Sequence, residues 1–70
     1  MSNWAGWCWQ ARTQCRMTQE EAARACGVSG RTWRRWENYE AEPEAWRKET
    51  VRDAMALELV ALAGARQGGR

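Results

Sequence analysis

The stretch TQEEAARACGVSGRTWRR, residues 18 to 35, constrains this chain more than any other. Thr18 is a natural N-cap, and Glu21, three residues on, completes a capping box that opens a helix. The inward positions of that helix are Ala22, Ala23 and Cys26, small enough for a second helix to approach closely. Gly27 suits the left-handed residue that ends a helix, and Val28 can plug the corner with an apolar side chain. Ser29 then caps a further helix running from Gly30 to about Asn38. Two short helices separated only by Gly27, Val28 and Ser29 must cross steeply.

That is a helix-turn-helix arrangement, and its second helix is strongly two-sided. At 3.6 residues per turn, Arg31, Arg34 and Arg35 fall on one face while Trp33 and Trp36 fall on another. The spacing predicts a short amphipathic helix with tryptophans inward and a cationic face outward. Charged faces are common on surface helices. On the outward side of such a second helix, however, a DNA-contacting role is the stronger expectation. The tryptophans could stack on bases, but their shared inward position favours core packing.

Seventy residues make a single small domain, and a chain of that size buries only about 60% of its unfolded surface. Six Trp and no Phe then point to a tryptophan-based core, because each indole removes roughly 150 to 250 Å² from water. Trp4, Cys8, Ala11 and Cys15 share one face of a first helix. Trp7 and Trp9 do not both fit that stripe, so at least one should be partly exposed. After a YEAEP loop, Pro43 fits the first position of a following helix, with a helical pattern from Glu44 to about Leu62. That region reads as one helix or as two broken near Lys48 to Thr50. Its apolar stripe is Val51, Met55, Leu59 and Leu62. Residues 1–63 are expected to form the domain and 64–70, with three glycines, a flexible tail. The expected fold is all-α, with four or five helices around the central pair.

Charge is divided unevenly. Residues 1 to 36 carry six Arg against two Glu, whereas residues 37 to 70 carry five basic against seven acidic residues. A cationic excess in the half holding the arginine face favours a polyanionic partner. Three cysteines, no CxxC pair and no His leave a zinc site without its usual ligands. Free thiols in a reducing cytoplasm are the expected state. There is no signal-peptide pattern, and the apolar stretch from Ala54 to Ala65 is interrupted by Glu58 and too short to span a bilayer. No catalytic motif, metal cluster or glycine-rich phosphate loop is present, so an enzyme is not expected and no cofactor is implied.

The stretch MTQEEAARACGVSGRTWRRWENYEAEP resembles the helix-turn-helix of the Cro and C1 repressor family, also called XRE-like. The likeness rests on Thr18-Gln19, Ala23, Gly27-Val28-Ser29, Trp36-Glu37 and Pro43, with Arg12 matching an arginine of that family's first helix. It covers about residues 4 to 62. Pro43 with Ala45-Trp46 further resembles small regulators of phages and mobile elements, some encoded beside anti-CRISPR genes. The resemblance implies a lambda-repressor-like domain whose DNA contacts would come from Gln19, Ser29, Gly30, Arg31, Arg34, Arg35 and Asn38. Gln19 would touch phosphate and brace the recognition helix, and Asn38 would bind phosphate. Arg12 and Glu37 would form an ion pair joining the first and third helices. There are departures: Gly30 has no side chain at a base-reading position, and Tyr39 stands where glycine is frequent. The acidic loop carries Glu40, Glu42 and Glu44 where some relatives are basic, and it should point away from DNA.

Together these readings imply a cytoplasmic transcriptional repressor binding double-stranded DNA at a two-fold operator, with half-sites roughly 34 Å apart. A homodimer through Leu59 and Leu62 would supply the two-fold symmetry, and no membrane is involved. The competing expectation is a protein-binding module, an antitoxin or an inhibitor, built on the same fold.

Overall fold

The computed structural model describes residues 3–68, with side chains as far as Gly64, and those residues are all-helical, with no strand. Four helices follow in order: α1 (Trp4–Gln14), α2 (Gln19–Cys26), α3 (Gly30–Glu37) and α4 (Ala45–Gly68). The capping box at α2 forms reciprocally. Glu21 N donates to Thr18 Oγ1 at 3.1 Å, and Thr18 N donates to Glu21 Oε1 at 2.8 Å. Gly27 ends α2 in the left-handed conformation, φ 74° and ψ 26°, which costs a residue without Cβ nothing. Ser29 Oγ accepts from Thr32 N at 3.1 Å and so caps α3.

The core is built on indoles. Trp4, Trp33 and Trp36 are buried, Trp7 packs beside them, and Cys8, Cys15, Ala22, Ala23, Cys26, Val51 and Met55 fill the remaining space. Trp4 stacks on Trp7 with centroids 5.0 Å apart and meets Trp36 edge-on at 5.6 Å, while Trp33 tilts against Trp36 at 5.5 Å. Offset and edge-on pairs of this kind add about 0.5 to 1.5 kcal/mol each beyond the area they bury. Arg52 lies over Trp4 and Trp7, at 5.7 and 5.9 Å, so α4 contributes a cation to the rim of the cluster. Of the two tryptophans that could not share a stripe, Trp9 is the exposed one. All three thiols are free and buried. Burial, helped by the Glu37 charge and then Cys26, pushes Cys8 up to about 12. Burial likewise carries Cys26 to about 11, with Glu58 and Cys15 adding to it. Thiols so shifted stay protonated and unreactive at neutral pH.

Two boundaries differ from the sequence reading, and one choice left open there is resolved. Pro43 precedes α4 instead of opening it. Glu44 supplies the first acceptor, its carbonyl taking Arg47 N and Lys48 N at 3.0 Å, which leaves Pro43 to stiffen the approach. Residues 45 to 68 form one helix with no break at Lys48 to Thr50. The backbone is therefore helical through Gly68, past the boundary expected at residue 63, and residues 69 and 70 of the expected tail lie outside the described residues. Two turns also use left-handed residues that are not glycine. Arg16 (φ 58°) closes α1 as Met17 N bonds Arg12 O, and Tyr39 (φ 62°) closes α3 as Glu40 N bonds Arg35 O. Each conformation costs roughly 1 to 2 kcal/mol in an L-residue with a Cβ.

Candidate nucleic-acid interface

One carboxylate organises the junction of α1, α2 and α3. Glu37 Oε2 accepts from Arg12 Nε at 2.7 Å and from Trp33 Nε1 at 2.5 Å. Its Oε1 accepts from Arg12 Nη2 at 3.0 Å and from Gln19 Nε2 at 3.1 Å. Arg12 spends a further N–H on Met17 O, at 3.2 Å, tying the turn before α2 to the same centre. The side chains of Arg12 and Glu37 are only 16% and 7% exposed. Burial alone would raise the Glu37 carboxyl. The hydrogen bonds from Arg12, Trp33 and Gln19, with the Arg12 charge, outweigh it and hold the group below the ordinary carboxylate range. The bond to Glu37 in turn raises the Arg12 guanidinium, against the opposing effect of its burial.

That centre fixes α3 so that its other side faces out. Trp33 and Trp36 are buried at 0% and 3% exposure, while Arg31, Arg34 and Arg35 are all exposed. The arginines are not equivalent. Arg34 Nη1 pairs with Glu20 Oε2 from the first turn of α2, and Arg35 Nε lies 3.8 Å from Glu40 Oε1. Arg31 has no ion pair among the described residues. Glu40 therefore reaches back to the arginine face, contrary to the expectation that the acidic loop points wholly away. Of its companions, Glu42 pairs with Lys48.

The remaining expected contact residues sit at the ends of α3 and at the start of α2. Gly30 begins α3, and a Cβ built there would stand 3.1 Å from Glu20 Oε2 and 3.3 Å from Arg34 Nη1. Ser29 is engaged as the α3 cap and also donates to Thr32 Oγ1 at 3.0 Å. Asn38 ends α3 with its side chain exposed. Gln19 turns its amide inward to Glu37, leaving one amide N–H for any outside acceptor. Leu59 and Leu62 lie far from the arginine face in sequence and line a shallow groove with Gln14 and Ala63. Leu59 is 43% exposed, and Leu57 and Val60 beside it are more so.

Two features were missed in the sequence. The Glu20–Arg34 pair depends on the α2–α3 crossing, although the charges of Glu20 and Arg34 and the small Gly30 hinted at it. The convergence of Gln19 and Trp33 on Glu37 had one sequence signal, since Trp33 and Glu37 are one helical turn apart. Among the described residues no helix is long and apolar enough to cross a membrane. No family model, curated protein or solved structure matches the chain.

Proposed function

We propose that this chain binds duplex DNA as a Cro/C1-type helix-turn-helix repressor, with α3 in the major groove and α2 lying across the backbone. The observation that carries this reading is the division of α3. Its two tryptophans are buried, its three arginines are exposed, and a four-donor carboxylate at its end holds that orientation. A helix gripped so firmly on one side presents its other side at a fixed angle, which base readout requires. Arg31 and Arg35, on the groove side, donate to guanine O6 and N7, and Arg34, further to the side, reaches phosphate. One such helix reads only a few base pairs. A homodimer on a two-fold operator, joined through Leu59 and Leu62, then supplies the specificity. The regulator acts in the cytoplasm and needs no cofactor.

The protein-binding alternative draws on Trp46, 58% exposed, and on the apolar surface of α4. Titration against duplex DNA over a range of salt separates the two readings. Phosphate contacts release counterions, so log K should fall steeply and linearly with log salt. Selection from a random duplex pool should return a palindromic site. Absence of duplex binding at low salt would leave the protein-binding alternative.

A further inference from the structure

We propose that Glu20 is an internal counter-anion for Arg34, competing with DNA phosphate for that guanidinium and so setting how strongly the protein holds DNA of any sequence. The inference rests on the DNA-binding reading and adds a residue to it. Glu20 is no part of the α2 cap. The capping box of α2 uses Thr18 and Glu21, and the Glu20 side chain is 59% exposed. Its carboxylate nonetheless crosses the start of α3 to reach Arg34 Nη1. The path is open because residue 30 is glycine: a Cβ there would crowd both partners, at 3.1 and 3.3 Å. An acidic side chain is thus paired with one of the three exposed arginines of α3, on the surface where a polyanion would lie. Arg35 has a looser counterpart in Glu40, at 3.8 Å.

The consequence follows from counting ions. An unpaired arginine that meets a phosphate displaces about one condensed cation, which adds about 0.9 to the salt slope. Arg34 instead exchanges one anion for another, and the released Glu20 carboxylate must be solvated again beside the phosphates. The gain at that position is therefore largely cancelled, and the protein binds as though it had one phosphate contact fewer.

The test uses the whole chain and a duplex of random sequence of about two helical turns, with Glu20→Gln, Arg34→Ala and the double variant titrated at several salt concentrations. Glu20→Gln should bind about two- to fivefold tighter, the range of an exposed ion pair, and its salt slope should steepen by about one. In the Arg34→Ala background the same substitution should change neither affinity nor slope. Equal tightening in both backgrounds would mean bare repulsion of phosphate by Glu20 and would overturn the proposal. So would a parent that binds with a steep salt slope while Glu20→Gln leaves it unchanged. A parent that fails to bind duplex at low salt would instead sink the DNA-binding reading itself. Thermal melts of all variants establish that each is folded.

Discussion

Helix α3 carries two kinds of ion pair, one shielded and one exposed, and they differ in almost everything but the chemistry of their partners. On the inner side, Glu37 receives four N–H donors from three side chains and is 7% exposed. On the outer side, Arg34 and Arg35 each face one glutamate, and all four side chains are 45 to 59% exposed. A shielded, fully satisfied carboxylate cannot be released without stranding its donors, so it defines geometry. An exposed pair in water is held by little and can change partners. The contrast assigns the inner pair to architecture and leaves the outer charges available for an external anion.

The largest effect should come from Glu37→Gln, which changes the charge and hardly the shape. Each carboxylate oxygen accepts two donors, whereas the amide offers one oxygen and confronts the other two donors with its own N–H groups. Stability should fall by about 3 kcal/mol, as for breaking a shielded pair from one side, and Arg12→Met should act alike. Denaturant midpoints measure both, and an unchanged midpoint for either would remove the architectural role. A pH dependence accompanies it. The folded Glu37 carboxyl is lowered from its ordinary value, so its contribution is complete above the unfolded value of about 4.3. It is lost as pH falls through the lower folded value. Melting from pH 6 down to pH 2 should show the parent converging on Glu37→Gln at the acid end.

The difference between the two sides also marks what was legible in the sequence. Caps and the left-handed Gly27 depend on neighbours a few residues away, and they were readable with their boundaries. The Arg12–Glu37 pair, 25 residues apart, came only through the family resemblance, since periodicity cannot say which charges meet. The exposed pair of Glu20 and Arg34 depends on a crossing angle that no local pattern encodes. Pro43 was expected at the first helical position but stands two positions earlier, just before the cap at Glu44, because either side of a helix start tolerates its fixed φ and missing N–H. The unbroken α4 was ambiguous because Lys48, three residues before Val51 on the stripe, is polar, as are Glu49 and Thr50 after it.

On the outer side the next effect concerns DNA. Arg35→Ala should cost about 1 to 3 kcal/mol on the preferred operator and relax discrimination at one base pair per half-site, while leaving the melting temperature close to the parent's. Matched and single-substituted duplexes measure this. Were Arg31→Ala and Arg35→Ala both to keep full affinity and base preference, the outer face would be an ordinary solvated surface.

A smaller effect lies between the two sides, at the turn that ends α3. Tyr39 holds φ 62° with its side chain 75% exposed, so glycine would relieve the left-handed strain while giving up little burial. Against that gain stands the extra freedom of glycine in the unfolded chain, about 0.4 to 1 kcal/mol. The net expectation for Tyr39→Gly is a stabilisation of up to about 1 kcal/mol. A lower denaturant midpoint would show that the exposed ring makes a contribution larger than the strain.

The smallest expected effect is the sharpest check on the comparison. If the outer pairs are dispensable to the fold, Arg34→Ala should change stability by less than about 0.5 kcal/mol, because an exposed pair gains little over two solvated charges. Glu20→Gln should do the same, and the two together should add without coupling beyond a few tenths of a kcal/mol. The corresponding cycle on Arg12 and Glu37 should give a coupling several times larger, since each partner there is shielded and multiply bonded. Denaturant titrations of the seven proteins, the parent being common to both cycles, at one pH and moderate salt supply both cycles. A coupling between Glu20 and Arg34 that rivals the inner pair would mean that the outer charges also hold α2 against α3. Their exchange for an external anion would then loosen the very helix pair that presents them.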